Sequence, residues 1–172
     1  GLLQAASIYL PYNVLLSMFY AFFNSQLLYG LLIWGNTHSS YLIPINVLYK
    51  RCLRLLSHVP PLAHTPPLAF QLGLLIFDDL LMYHTAVFMY KLTNNMLPTC
   101  ISSMFTRLNG TTRRNAHDYF LPRVRLDICK RFISFHGVCV WLQMSNDIKC
   151  VNKLDNFKQL CFSNLSEKYS IM

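Results

Sequence analysis

Lys50, Arg51 and Arg54 are the first charged residues in this chain of 172, and His58 follows four positions later. Cationic groups at i, i+4 and i+8 of a helix can track a phosphate backbone and displace its counterions. The same spacing suits the solvated face of an amphipathic helix, with Ile45, Leu48, Cys52, Leu55 and Leu56 on the opposite face. A second basic stretch lies at residues 107–131. It holds Arg107, Arg113, Arg114, Arg123, Arg125, Lys130 and Arg131 against Asp118 and Asp127, a net +5. Tyr119, Phe120 and Phe132 interleave with these cations. Cations and aromatics on an irregular segment suit backbone contact plus base stacking. A solubilising loop is the plainer reading of the same residues. Contacts of this kind go to phosphates and carry no base specificity.

Other reactive groups are sparse in pattern. Asp78-Asp79 is the only adjacent acidic pair. Two-metal polymerase chemistry needs carboxylates from separate elements, and no third one is near in sequence. The pair instead stands where a helix should begin, and carboxylates there satisfy free N–H groups and the dipole. The chain has no Gly-x-x-x-x-Gly-Lys loop, no Gly-x-Ser-x-Gly elbow and no His-Glu-x-x-His. Cysteines stand at 52, 100, 129, 139, 150 and 161, without a Cys-x-x-Cys. They read as reduced, mostly buried thiols of an intracellular protein, with metal binding as the alternative. His84, set among apolar residues, reads as a core or boundary histidine.

The elements that must position these groups are mostly helical. Hydrophobic residues make up 53% of the chain and charged ones 13%, which excludes an intrinsically disordered chain. The net charge is +8, and all charged residues lie at position 50 or later. Residues 14–34 are charge-free and long enough to span a bilayer. Asn24, Ser25 and Gln26 at their centre, and the lack of a flanking cation, weigh against a span. A single-span membrane protein fragment stays as an alternative, and a structural protein-interaction module as another. Apolar spacing predicts a helix from Tyr12 to Ser25 that runs on through Trp34, and a second over about 40–58 with Pro44 in its first turn or ending the approach to it. Residues 59–67, with four prolines, read as a rigid extended connection. Further helices are predicted over 78–94 and from 153 or 154 to about 168. β-Branched and aromatic residues at 132–141 predict a short strand or hairpin around Gly137. The fold class is mainly α, divided into a helical bundle (1–98), a basic irregular connection (99–131) and a small strand-plus-helix segment (132–172).

The order of landmarks resembles a known family. Tyr9-Leu10-Pro11, Phe19-Tyr20, Ser25-x-Leu27-x-Tyr29-Gly30 and Trp34-Gly35 lead to Leu48-Tyr49-Lys50-Arg51 and Leu53-Arg54. His64-Thr65-x-Pro67-Leu68, Gln71-Leu72-Gly73-Leu74-Leu75, Asp78-Asp79-Leu80 and Phe88-Met89-Tyr90-Lys91 follow. Thr112-Arg113, Leu121-Pro122-Arg123, Gly137 with Trp141, and Phe157-Lys158 close the series. The series resembles the region just downstream of the catalytic palm in reverse transcriptases of non-LTR retrotransposons of the jockey type. Departures are Tyr49 where that family often has Gln, and Leu108-Asn109-Gly110-Thr111 before Thr112-Arg113 in place of its His and Tyr. Trp141 also lacks the Asn and nearby Pro that often follow it there.

The resemblance implies a thumb-like helical bundle followed by a connection segment. It implies a non-catalytic fragment of an RNA-directed DNA polymerase that helps hold an RNA/DNA template–primer. The expected contacts come from Lys50, Arg51, Arg54, Arg113, Arg114, Arg123 and Arg125. The partners implied are that duplex and an upstream palm domain of the same polyprotein; a membrane is not expected. No cofactor is expected in this fragment, because the divalent metal belongs to the palm. The implied location is intracellular, and nuclear during action on chromosomal DNA. The start at Gly1, inside an apolar pattern, agrees with a piece of a longer protein.

Overall fold

The computed structural model describes residues 2–108 and 119–170, except for the side chains of Leu2 and Ser170. The chain is mainly helical. In order, the helices are α1 (Leu2–Tyr9), α2 (Tyr12–Met18), a π turn (Phe19–Asn24), α3 (Ser25–Leu28), α4 (Leu31–Trp34) and α5 (Ser39–Leu56). Then come α6 (Thr65–Gln71), α7 (Phe77–Thr93), α8 (Thr99–Ser102), a 3-10 turn (Cys129–Arg131), α9 (Ile133–Gln143), α10 (Asn146–Lys149) and α11 (Leu154–Ser170). The only β feature among the described residues is an isolated bridge between Arg107 and Tyr119. Two compact units can be distinguished, Gly1–Leu80 with Ser166–Met172, and Leu81–Leu165.

In the first unit, α1 packs on α2 and α5, and α5 packs on α6. Leu15, Phe19, Phe23 and Leu27 follow one another every four residues, and all but the partly buried Phe23 are buried. A regular α-helix advances 3.6 residues per turn, so a four-residue repeat drifts about 40° at each step. The wider π turn at Phe19–Asn24 counteracts that drift and keeps the row pointed at the core. Phe19 stacks on Phe23 at 5.6 Å and meets Tyr49 at 6.2 Å. Tyr49 is 1% exposed and donates its Oη to the Leu75 carbonyl at 2.6 Å. Gly30, at φ +64°, breaks the helical run before α4. Among the described residues no helix is long and apolar enough to cross a membrane.

Helix α5 starts at Ser39, with His38 Nδ1 accepting from Ser40 N at 3.3 Å. Pro44 lies in its second turn rather than the first. The proline is exposed, so water can solvate the Ser40 carbonyl left without its usual i+4 donor. The predicted extended connection is only partly seen. Thr65–Gln71 is helical, because Pro66 and Pro67 occupy its first turn, where an N–H has no helical partner anyway. Three helices end alike, in a Schellman pattern where the N–H of a left-handed residue and that of the next residue donate back to carbonyls of the last turn. The left-handed residues are His58 after α5, Gly73 after α6 and Asn95 after α7.

In the second unit the core gathers Met89, Tyr90, Val138, Trp141 and Phe157. Tyr90 stacks on Phe157 at 4.3 Å, and Trp141 lies 6.2 Å from the same ring. The strand or hairpin predicted at 132–141 is instead helix α9. Gly137, Val138, Val140 and Trp141 are its buried positions. A Cβ on Gly137 would stand 3.0 Å from the Met89 sulfur, so the glycine permits close approach of α9 to α7. Burial of this helical face outweighs the strand preference of its β-branched and aromatic residues.

Candidate nucleic-acid interface

The cations of α5 sit on and beside its outward face. Tyr49, Cys52, Leu53 and Leu56 turn inward. The inward face is thus rotated from the expected one, because Leu48 is half exposed while Tyr49 is buried. Arg51 is exposed, and Lys50 and Arg54 are partly buried. Arg54 Nε donates to the Ala63 carbonyl at 2.8 Å, and its own carbonyl accepts from Val59 N at 3.2 Å. The residue therefore ties the 59–63 turn to the end of α5 and has its guanidinium fixed in direction. Arg51 and Arg54 line one groove of about 400 Å³. The first acidic residue of the chain is Asp78, so no carboxylate lies near these cations in sequence.

The second basic stretch resolves into residues with different tasks. Arg113 and Arg114, with the predicted loop at 109–112, lie outside the described residues. Arg123 and Arg125 are exposed on an irregular segment that also exposes Phe120 and Leu126. Lys130 pairs with Asp127 at 2.7 Å. Its hydrogen bond, then its charge, holds the Asp127 carboxyl below the usual carboxylate range. Arg107 donates from Nη2 to the Thr93 carbonyl and lies over the Tyr119 ring at 5.8 Å. Thr93 is the last residue of α7, and its carbonyl has no helical donor. Tyr119 is 3% exposed and donates its Oη to Thr93 Oγ1 at 3.2 Å. Tyr119 is thus a capping and core residue and is not open to base stacking, unlike Phe120 and Phe132.

The acidic pair is split by its surroundings. Asp78 is exposed, whereas Asp79 is 7% exposed and accepts from Tyr169 Oη. Lys168 Nζ stands 3.7 Å from the other Asp79 oxygen. With one carboxylate turned inward and engaged, these two residues do not fit a shared metal. Among the described residues no three His, Cys, Asp or Glu side chains come together as a metal site.

Two features of the site had no signal in the sequence. Phe22, 64% exposed on the π turn, and Phe23 border a second cavity of about 310 Å³ that includes Arg51. Gln4, from α1, lines both cavities. No family model matches the chain, and neither does any curated protein or any solved structure.

Proposed function

We propose that this chain is a non-catalytic, nucleic-acid-holding part of an RNA-directed DNA polymerase of the non-LTR retrotransposon type. Its thumb-like bundle would keep the template–primer against a catalytic palm on the same polyprotein. The observation that carries the reading is the one-sided cationic face of α5. Arg51 and Arg54 share a groove, Lys50 flanks them, and the chain has no acid before Asp78. Arg123 and Arg125 add exposed cations beside exposed Phe120 on the other unit. Contacts of this kind hold a phosphate backbone without reading bases.

The uncharged part of the chain supports a protein partner in addition. Tyr9, Tyr29 and Ile33 are each more than four-fifths exposed, within a segment that has no charge to solvate it. Exposed apolar side chains in such a setting suit a contact with another domain. The palm domain implied by the resemblance is the partner proposed here.

Binding to an RNA–DNA hybrid, measured by fluorescence anisotropy across a potassium chloride series, tests the reading. Affinity should fall linearly on a log–log plot, and replacing Arg51 and Arg54 by Gln should flatten the slope by about 2. Absence of binding at low salt, or a slope the double variant leaves unchanged, refutes it.

A further inference from the structure

Arg51 stands between two cavities of the first unit. One, of about 400 Å³, is lined by Gln4, Val47, Arg51, Arg54, Val59 and Pro61, among others. The other, of about 310 Å³, is bordered by Leu3, Phe22, Phe23, Leu48 and Cys52. They share Gln4, Arg51 and Leu55, so they adjoin. We infer that together they form a site for a single unpaired nucleotide, with its phosphate on Arg51 and Arg54 and its base against Phe22. The inference rests on the nucleic-acid reading above but replaces a duplex with a single-stranded end as the occupant of this site.

Each half of the site suits one half of a nucleotide. Arg54 is held through Nε by the Ala63 carbonyl, which leaves its terminal nitrogens to a ligand in a fixed plane. Arg51 adds a second guanidinium, and no acidic residue lines either cavity. A phosphate is the charge that complements two adjacent guanidiniums. Apart from the shared Gln4 and Arg51 the neighbouring cavity is lined by apolar residues and Cys52, with Phe22 64% exposed on the π turn. Burial pushes the Cys52 thiol up to about 11, so this wall stays uncharged at neutral pH. An exposed aromatic beside a phosphate-binding pair is how proteins hold unpaired bases, because every base has a π face. Gln4 brings an amide with both donors and an acceptor to the junction, where a base edge or sugar hydroxyl would lie. Cavities of this size accept small ligands; a duplex is far too wide to enter.

The test compares two RNA–DNA hybrids bound by the full chain, one blunt and one with a three-nucleotide single-stranded overhang. The readout is the ratio of their affinities. The overhanging hybrid should bind at least about fivefold more tightly, the effect of one stacked base. Phe22→Ala should bring the ratio to about one, and Phe22→Tyr should restore it. Phe22 is largely exposed, so its truncation leaves the core intact, and circular dichroism checks this. Equal binding of both hybrids by the native chain overturns the inference and leaves the proposed function standing. Binding of neither hybrid overturns both. A site that takes oleate in competition with the overhang, with no overhang preference of its own, is an amphiphile site, and that result also overturns the inference.

Discussion

Tyr169→Phe is the substitution whose effect the geometry of the first unit specifies most fully. The Tyr169 hydroxyl donates to the Asp79 carboxylate and accepts from Ile76 N at 3.2 Å. Both side chains are buried, Tyr169 at 5% exposure and Asp79 at 7%. Burial, then the bond to Asp79, pushes the Tyr169 hydroxyl well above its ordinary range, so it stays protonated and remains a donor. Removing the hydroxyl deletes a hydrogen bond to a charged acceptor, about 1.5–3 kcal/mol, and leaves an amide without its acceptor, about 1 more. Lys168 remains near Asp79, but its side chain is 55% exposed, and solvent screening limits that pair to well under about 1 kcal/mol. The expected loss is therefore about 2.5–4 kcal/mol, a large part of a typical domain's stability. Urea unfolding followed by tryptophan fluorescence measures it, and at a usual slope the midpoint should move by about 1–2 M. Asp79→Asn keeps an acceptor for the hydroxyl and should cost less, about 1 kcal/mol. The double variant should show a coupling of about 1 kcal/mol or more between the two positions. A Tyr169→Phe midpoint equal to that of the native chain, or strict additivity in the cycle, would refute the anchoring role.

Two further outcomes follow from backbone and titration. His58 holds a left-handed conformation at φ +50°, which disfavours any residue with a Cβ. His58→Gly should therefore stabilise the fold by about 0.5–1 kcal/mol after the greater chain entropy of glycine is subtracted, seen as a higher urea midpoint. His84 and His136 are both lowered from their ordinary value, each by burial first and His84 also by Lys91. A lowered histidine binds fewer protons folded than unfolded, so its contribution is complete above the unfolded value near 6.5 and shrinks as pH falls through it. Stability measured between pH 7 and pH 5 should decline, and His136→Gln should reduce that decline; a pH-independent midpoint in the native chain contradicts the sign.

Helices with a long apolar period were legible in the residues alone. α5, α7 and α11 each start and end within about two residues of the expected positions, because their periodicity and terminal signals agree. α9 was not legible, since Ile133, Val138, Val140 and Trp141 favour a strand when judged singly. The clue lay in the i, i+3 placement of Val138 and Trp141, which a helix puts on one face and a strand puts on opposite faces. The π turn left no local signal, but its consequence did: Leu15, Phe19, Phe23 and Leu27 keep a spacing of four that a regular helix cannot hold on one line. The cationic face of α5 was legible because its three cations crowd one turn. The double cavity beside it was not, because Gln4 and Phe22 arrive from separate segments.

Charge counted along a sequence overstates the charge a ligand can meet, and the two basic stretches show why. Residues 107–131 carry a net +5, yet Arg107 closes the end of α7 on the Thr93 carbonyl and Lys130 is engaged by Asp127. Among the described cations named for binding there, Arg123 and Arg125 are the exposed pair. The α5 group is smaller by count, with three cations, but carries no acid within the preceding 49 residues or the 23 that follow Arg54. Its field is uncompensated by any neighbour in sequence, and Arg54 is oriented by a bond to a neutral carbonyl instead of a carboxylate. A neutral acceptor fixes direction without cancelling charge, so the guanidinium keeps its full attraction for an anion. Under the proposed function, the shorter stretch, and not the more basic one, is therefore where substitutions should alter nucleic-acid affinity most per residue changed.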